Sequence, residues 1–327
     1  MNGTVQGSRL EEIGYYNPSQ VGTLELQGNT RLDFLHRQTT NDIRLVSREH
    51  VITSVLTSPT GRILDVLYVF EALVGSMPVI RVITLPGMAP STTAYLNQRI
   101  FFMDQVKVLD ISSRFFHVDI IGQDLPSVIQ KLAFRHLPEG NQLLTTQLTG
   151  QEIFIFKHHP HIGLGIRLIA PVELRKQIIA TILETGTREI NDDQHEILRV
   201  EVGIPAAQHE LTAEFTPLEA GLHSAISDQK GCYTGQEVIA RQMTYQRVTR
   251  QLVGLYLEAP VAPGTQLQVD GKPAGWITSF ASSPRFGPIA LAMVKQPYYQ
   301  SGTRLSIPFD KDSITATVTN LPFFQKS

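Results

Sequence analysis

The 327-residue chain contains a single cysteine, Cys232, which excludes an internal disulfide framework and any multi-cysteine zinc or iron–sulfur site built within one chain. It also has no excess of charge of one sign. With 28 Lys+Arg against 30 Asp+Glu the formal net charge is −2, so any contact with phosphate or RNA must come from a local patch. Long apolar runs are missing too. The most apolar stretch, Val66 to Leu85, is broken by Glu71, Pro78 and Arg81, well short of the roughly 18 unbroken apolar residues of a spanning helix. Glu11 and Glu12 precede any hydrophobic block, unlike the basic-then-apolar start of a signal peptide. A cytoplasmic protein without a membrane partner is therefore expected. What is present is 42% apolar and 18% charged residues, the composition of a globular chain long enough for two or three domains.

The pattern reads as α+β. Thr23 to Gln27 alternates like a strand, and Gly28-Asn29 introduces a helix with Leu32, Phe34 and Leu35 near one side. Val51 to Thr57 is β-rich, and Ile63 to Leu73 with Val79 to Leu85 forms an expected hairpin. Ser91 is placed to cap a helix running to about Phe102, followed by strands at 106–111 and 115–121. A second block has a helix near 126–136, strands at 152–158 and 165–169, and a helix opened by Pro171 and stopped by Gly186. Asn191-Asp192-Asp193 caps a helix through about Val202, a long loop runs to about Arg250, and from Gln251 short β-type runs between Gly and Pro turns predict a small all-β domain. The expected division is 1–121, 122–250 and 251–327, with the first two lobes free to interleave.

A loop longer than about 12 to 15 residues inside a compact protein is usually functional or disordered, which directs attention to the stretch between Gly203 and Arg250. There Lys230-Gly231-Cys232-Tyr233-Thr234-Gly235-Gln236-Glu237 sets the sole cysteine between glycines, beside a lysine and an aromatic ring. Glycines allow close backbone approach, and a nearby ammonium favours thiolate over thiol. Both suit a reactive sulfur; the competing reading is a small buried hydrophobe. Pairing Cys232 with His209 or His223 would make a cysteine hydrolase, but spacing alone brings neither within reach. His158-His159-Pro160-His161 has metal-ligand residue types without an acidic neighbour and reads as a solvated loop. Gly163-Leu164-Gly165 lacks the remaining glycine and the acidic residue of a dinucleotide fingerprint.

The run Lys230 to Glu237 resembles the K-G-C-[FY]-x-G-Q-E signature of the YgfZ-type folate-binding proteins, relatives of the glycine-cleavage T-protein (the GcvT-like superfamily). The resemblance continues through Gly28 to Asp42, the Thr57 to Arg62 turn, Arg199 to Pro205, Pro217 to Leu222, and Gly275 to Ser279 with Ile289 to Ala292. It implies a three-lobed α+β fold around a central tetrahydrofolate channel, closed by a small C-terminal β-barrel. It also implies a cytoplasmic accessory role in assembling or repairing iron–sulfur enzymes, with indirect support of tRNA modification and no permanently bound metal. Iron–sulfur enzymes or cluster-assembly proteins are the implied partners.

Glu201 matches the family carboxylate that would accept the paired N–H groups of a pterin, or it is a solvated helix-end glutamate. Arg241, Arg247 and Arg250 suit the carboxylates of the folate tail; the same three would equally serve RNA phosphate or form an ordinary solvated face. Lys230, Tyr233 and Glu219 complete the candidate folate-binding set, with Cys232 as the candidate reactive thiol. One departure matters. Where the T-protein carries its catalytic aspartate, this chain has Leu85-Pro86-Gly87-Met88-Ala89-Pro90. Aminomethyl transfer needs a carboxylate to orient and protonate the leaving amine, so a one-carbon transferase is the alternative rather than the first reading.

Overall fold

The computed structural model describes residues 14–122, 125–158, 165–244, 248–309 and 312–323. Two units emerge, one built from Leu10–Ile190 with Ser224–Gln236, the other from Asn191–His223 with Glu237–Ser327. The chain thus leaves the first unit and returns to it for the segment that carries Cys232.

In the first unit β1 (Gly14–Tyr16), β2 (Thr23–Gln27) and α1 (Arg31–Gln38) precede the meander β3 (Ile52–Thr57), β4 (Ile63–Val74) and β5 (Met77–Ile83). Then come α2 (Ala89–Asn97), β6 (Lys107–Asp110), β7 (Phe115–Ile121), α3 (Leu125–Lys131), β8 (Leu143–Leu148), β9 (Gln151–His158), β10 (Gly165–Pro171), α4 (Arg175–Leu183) and β11 (Arg188–Glu189). They form a sheet in the order β3-β4-β5-β2-β6 and a second in the order β11-β1-β7-β10-β9-β8. The sheets pack face to face. Tyr68 and Phe70 on β4 meet Phe156 and Phe154 on β9 at ring separations of 5.4 and 5.3 Å, while Leu67 and Val69 face the cluster of Phe34, Leu35 and Leu96. Burial on both faces explains why Val66 to Phe70 in β4 is a continuous apolar run rather than an alternation. The outer face of the second sheet, through Ile153, Ile155, Ile166 and Leu168, is covered by Val128, Ile129, Ile178 and Ile182.

The second unit contains α5 (Asp192–Val202), α6 (Gln236–Thr244) and the strands β12 (Arg250–Leu257), β13 (Gln266–Val269), β14 (Lys272–Ser283), β15 (Gly287–Lys295), β16 (Arg304–Phe309) and β17 (Asp312–Thr319). These strands close into a barrel, β12-β15-β14-β13-β16-β17, filled by Leu255, Leu267, Ile277, Ala290, Ala292 and Leu305. Closure leaves no open sheet edge. The architecture is the mixed α+β fold with a C-terminal barrel that the sequence predicts.

Four local features differ from the sequence expectations. Ser91 lies inside α2, its hydroxyl donating to the Met88 carbonyl at 2.9 Å, because Pro90 occupies the first turn and sets an earlier start. That helix stops at Asn97, and Asp104 accepts the Phe101 N–H to close the turn that follows. β8, an edge strand with alternating exposure, and α6, whose single buried residue is Ile239, have no counterpart in the sequence pattern. Neither carries enough apolar signal to stand out. The histidines at 159 and 161 and Gly163-Leu164 lie outside the described residues.

Two buried groups give the fold opposing pH dependences. Asp65 on β4 is fully buried, which pushes its carboxyl up to about 7 despite bonds from the Thr92 hydroxyl and the amides of Leu85 and Val66. Burial, assisted by Arg167, pushes the His117 imidazole down to about 3. The native state holds the Asp65 proton that the unfolded chain sheds above 3.8, so this group lowers stability as pH rises from about 4 to about 7. The native state refuses the His117 proton that the unfolded chain takes up below 6.5, so this group raises stability from about pH 3 to 6.5. In the overlap the two slopes, each roughly 1.4 kcal/mol per pH unit, cancel. Relative to the parent, Asp65→Asn should add a rising slope between pH 4.5 and 6, and His117→Gln a falling one, in urea unfolding. Parallel profiles for parent and variants would show that neither group is shifted.

Candidate functional site

The signature segment is anchored along its length to the end of α1 and to the turn before β4. Thr40 donates its hydroxyl to the Ala225 carbonyl at 2.6 Å, and the Ser227 amide donates to the Thr40 carbonyl at 3.0 Å. The Lys230 ammonium donates to the carbonyls of His36, Thr39 and Asn41 at 2.6, 2.5 and 2.9 Å. Helix carbonyls left without partners at a C-terminus are well answered by a cation. Burial pushes Lys230 down to about 8, still high enough to keep it an ammonium at neutral pH. Beyond it the Thr234 amide donates to the Arg37 carbonyl at 3.1 Å, and the Thr57 hydroxyl to the Thr234 carbonyl at 2.6 Å. Gly235 has φ +82°, and a Cβ there would lie 2.5 Å from the Ser58 carbonyl oxygen. Only glycine fits.

Cys232 is exposed on this braced segment and is not a buried hydrophobe. Gly231 before it is also exposed, whereas Tyr233 after it is buried, its ring 4.9 Å from Lys230 Nζ, and its hydroxyl is pushed up to about 12 by burial. Lys230 therefore serves as the brace of the segment, with its charge directed to three carbonyls rather than held in reserve for the thiol.

In the other unit, Glu201 sits near the end of α5. A reciprocal capping box between Asn191 and Gln194 starts that helix, and Gly203 at φ +77° ends it. Glu201 is 1% exposed, so it is no solvated helix end. Its carboxylate accepts the Ser283 hydroxyl at 2.5 Å and the Nε and Nη2 groups of Arg285. Neighbouring Arg199, also buried, bonds to Glu196, Glu210, Ser279 and the Ile204 carbonyl. Glu219 is 1% exposed and accepts the Thr216 amide and the Arg250 guanidinium at 2.9 Å each. Arg250 in turn lies 5.3 Å from the Phe215 ring and 5.4 Å from that of Trp276. Arg241 is exposed and pairs with Glu237 at 2.6 Å, and Arg247 lies outside the described residues. His209 bonds through Nδ1 to the Thr278 carbonyl at 3.1 Å.

The structure thus brings Lys230 and Tyr233 together around the cysteine, pairs Glu219 with Arg250, and gives Glu201 a partner that the sequence did not reveal. Arg285 and Ser283 lie in the β14–β15 turn, where Ser-Ser-Pro-Arg-Phe-Gly reads as ordinary turn chemistry. Among the described residues no cluster of three or more His, Cys, Asp or Glu is arranged to hold a metal, and no helix is long and apolar enough to cross a membrane.

Two packed sheets flanked by helices and a closed six-stranded barrel define a T-protein-like fold. The chain belongs to the glycine cleavage T-protein family: residues 9–230 match the GCVT N-terminal domain and residues 250–325 the glycine cleavage T-protein C-terminal barrel domain. It is 28% identical to a putative chloroplastic transferase of Arabidopsis thaliana, with 94% of this chain and 70% of that protein aligned. It is 26% identical to an aminomethyltransferase of Moorella thermoacetica, over 96% and 87% of the two chains. The crystal structure of glycine cleavage system aminomethyltransferase T from Bartonella henselae superposes with a TM-score of 0.83 at 20% identity, over 96% of this chain and 87% of that one.

Proposed function

We propose that this protein is a tetrahydrofolate-binding accessory factor of the YgfZ type, acting in the cytoplasm on iron–sulfur enzymes or their assembly proteins and so supporting tRNA modification indirectly, with Cys232 as its reactive thiol. The observation that carries this reading is the exposed Cys232 on a segment fixed from behind by Lys230, Thr234 and Gly235. Accessibility and a fixed backbone are what thiol chemistry with a second protein requires. A Cys232 thiolate can attack the outer sulfur of a persulfide, breaking its S–S bond and releasing the donor as a thiolate. A lone thiolate can also lend one ligand to a cluster in transit, but it cannot supply the four that a cluster needs.

Glu201 fits the edge of a pterin in charge and burial, on the condition that Arg285 withdraws from it. Arg241, Arg247 and Arg250 remain candidates for the folate tail. Lys230 and Glu219, whose polar atoms are turned to protein partners, would act by holding the site's backbone. The folate reading is tested by anaerobic calorimetry with tetrahydrofolate. Saturable binding at one site per chain is expected, weakened in Glu201→Gln by about 1.5 to 3 kcal/mol, the value of hydrogen bonds to a charged group. An unchanged affinity would remove Glu201 from the site.

The names of the relatives favour a second reading, folate-dependent aminomethyl transfer. Against it stands the segment 85–90. The carboxylate bonded to the Leu85 amide is Asp65, which is sealed from solvent. Production of methylenetetrahydrofolate from an aminomethylated donor protein would establish the transferase; its absence alongside folate binding would favour the accessory factor.

A further inference from the structure

The geometry points to Arg285 as an internal competitor that occupies Glu201 in the pterin's place and must swing out before a folate can dock. The inference rests on the folate reading above and adds a control element to it. Glu201 has two carboxylate oxygens, and Arg285 engages both, Nε on one and Nη2 on the other, with the Ser283 hydroxyl sharing the first. A guanidinium offers a carboxylate two parallel N–H donors in one plane. The amino group and adjacent ring N–H of a pterin offer the same planar pair, so the two forks are mutually exclusive on one buried carboxylate.

The local structure suits a hinged side chain on a fixed base. Ser283 accepts the backbone N–H groups of both Arg285 and Phe286 at 3.0 Å, which pins the β14–β15 turn. The Arg285 side chain is 29% exposed while that of Glu201 is 2% exposed, so the arginine has a path to water and the glutamate has none. Its guanidinium carbon also lies 5.3 Å from the Phe286 ring, a contact made within the turn itself. The consequence is an apparent folate affinity reduced by the fraction of molecules in which Arg285 is closed on Glu201.

The test uses the stable reduced folate 5-formyltetrahydrofolate, titrated calorimetrically into the full-length protein, Arg285→Gln, Arg285→Ala and the double variant Arg285→Ala/Glu201→Gln. Thermal melts establish that each variant folds. Removing the competing fork should tighten binding at least about tenfold, the lower end expected for charge-assisted hydrogen bonds. The gain should vanish in the double variant. In the parent, the Arg285 Nε–H signal in nitrogen-edited NMR should be protected from exchange with water in the free protein and lose that protection at saturation. Saturable binding by the parent with equal or weaker binding by folded Arg285 variants would overturn the competitor role and leave the folate reading standing. Absence of binding by every form would overturn both.

Discussion

Cys232→Ala is expected to abolish support of iron–sulfur enzymes in cells that depend on this protein, with no loss of fold. The residue is exposed, so the substitution should change unfolding free energy by less than about 0.5 kcal/mol, the usual range for surface positions. Folate affinity should likewise stay at the parent value, because the braces of the segment are Lys230, Thr234 and Gly235 rather than the thiol. Cys232→Ser should fail in the same way, since a serine hydroxyl does not ionise near neutral pH as a thiol can. The readout is the specific activity of a cluster-dependent dehydratase in a strain whose only copy carries the variant. Full activity in either variant would refute the reactive-sulfur role.

Lys230→Met is expected to have the largest effect on stability. Three carbonyls at the end of α1 converge on this one ammonium, and the side chain is buried. Methionine keeps most of the apolar stem and removes all three donors, leaving buried acceptors without partners. We expect a loss of about 3 kcal/mol, in the range for breaking a buried polar network. Arginine should not restore it, because a flat guanidinium does not place three donors around a point as an ammonium does. Hydrogen exchange localises the effect: the amides of Ser227 and Thr234, bonded to the carbonyls of Thr40 and Arg37, should lose protection before those of the barrel strands. Unchanged protection at these two amides would mean that the segment is held by its other bonds. Because Cys232 rides on this segment, the proposed function predicts that Lys230→Met also impairs iron–sulfur support in proportion to the loosening, which would mark Lys230 as a positioning residue for the proposed thiol.

The local patterns in the sequence were sufficient for most elements and for the class of the fold. The strand at Thr23–Gln27, the long β4–β5 hairpin, the Asn191 capping box and the onset of the barrel near residue 250 each follow from short-range chemistry. Period, caps and turns act within a few residues, so they are legible in order along the chain. The importance of the Lys230–Glu237 run was legible for the same reason, through its glycines and its lone cysteine. Where the signal is weak it fails: β8 lies at a sheet edge with a single buried residue, and α6 is a largely polar helix.

Tertiary structure alone decided what those residues touch. The sequence places Lys230 two positions from Cys232 and suggests that its charge serves the sulfur, whereas the fold brings the ammonium to carbonyls more than 180 residues away in the chain. It presents Glu201 as a free carboxylate on a helix end, whereas the fold closes Arg285 onto it from a turn 84 residues further on. Nothing in a linear pattern encodes such pairs, because each depends on long loop closures whose cost is recovered only when both partners are already fixed by sheets, caps and barrel. Residue types set what chemistry was possible here, and long-range packing chose which of those groups stay exposed to react and which are consumed in holding the protein together.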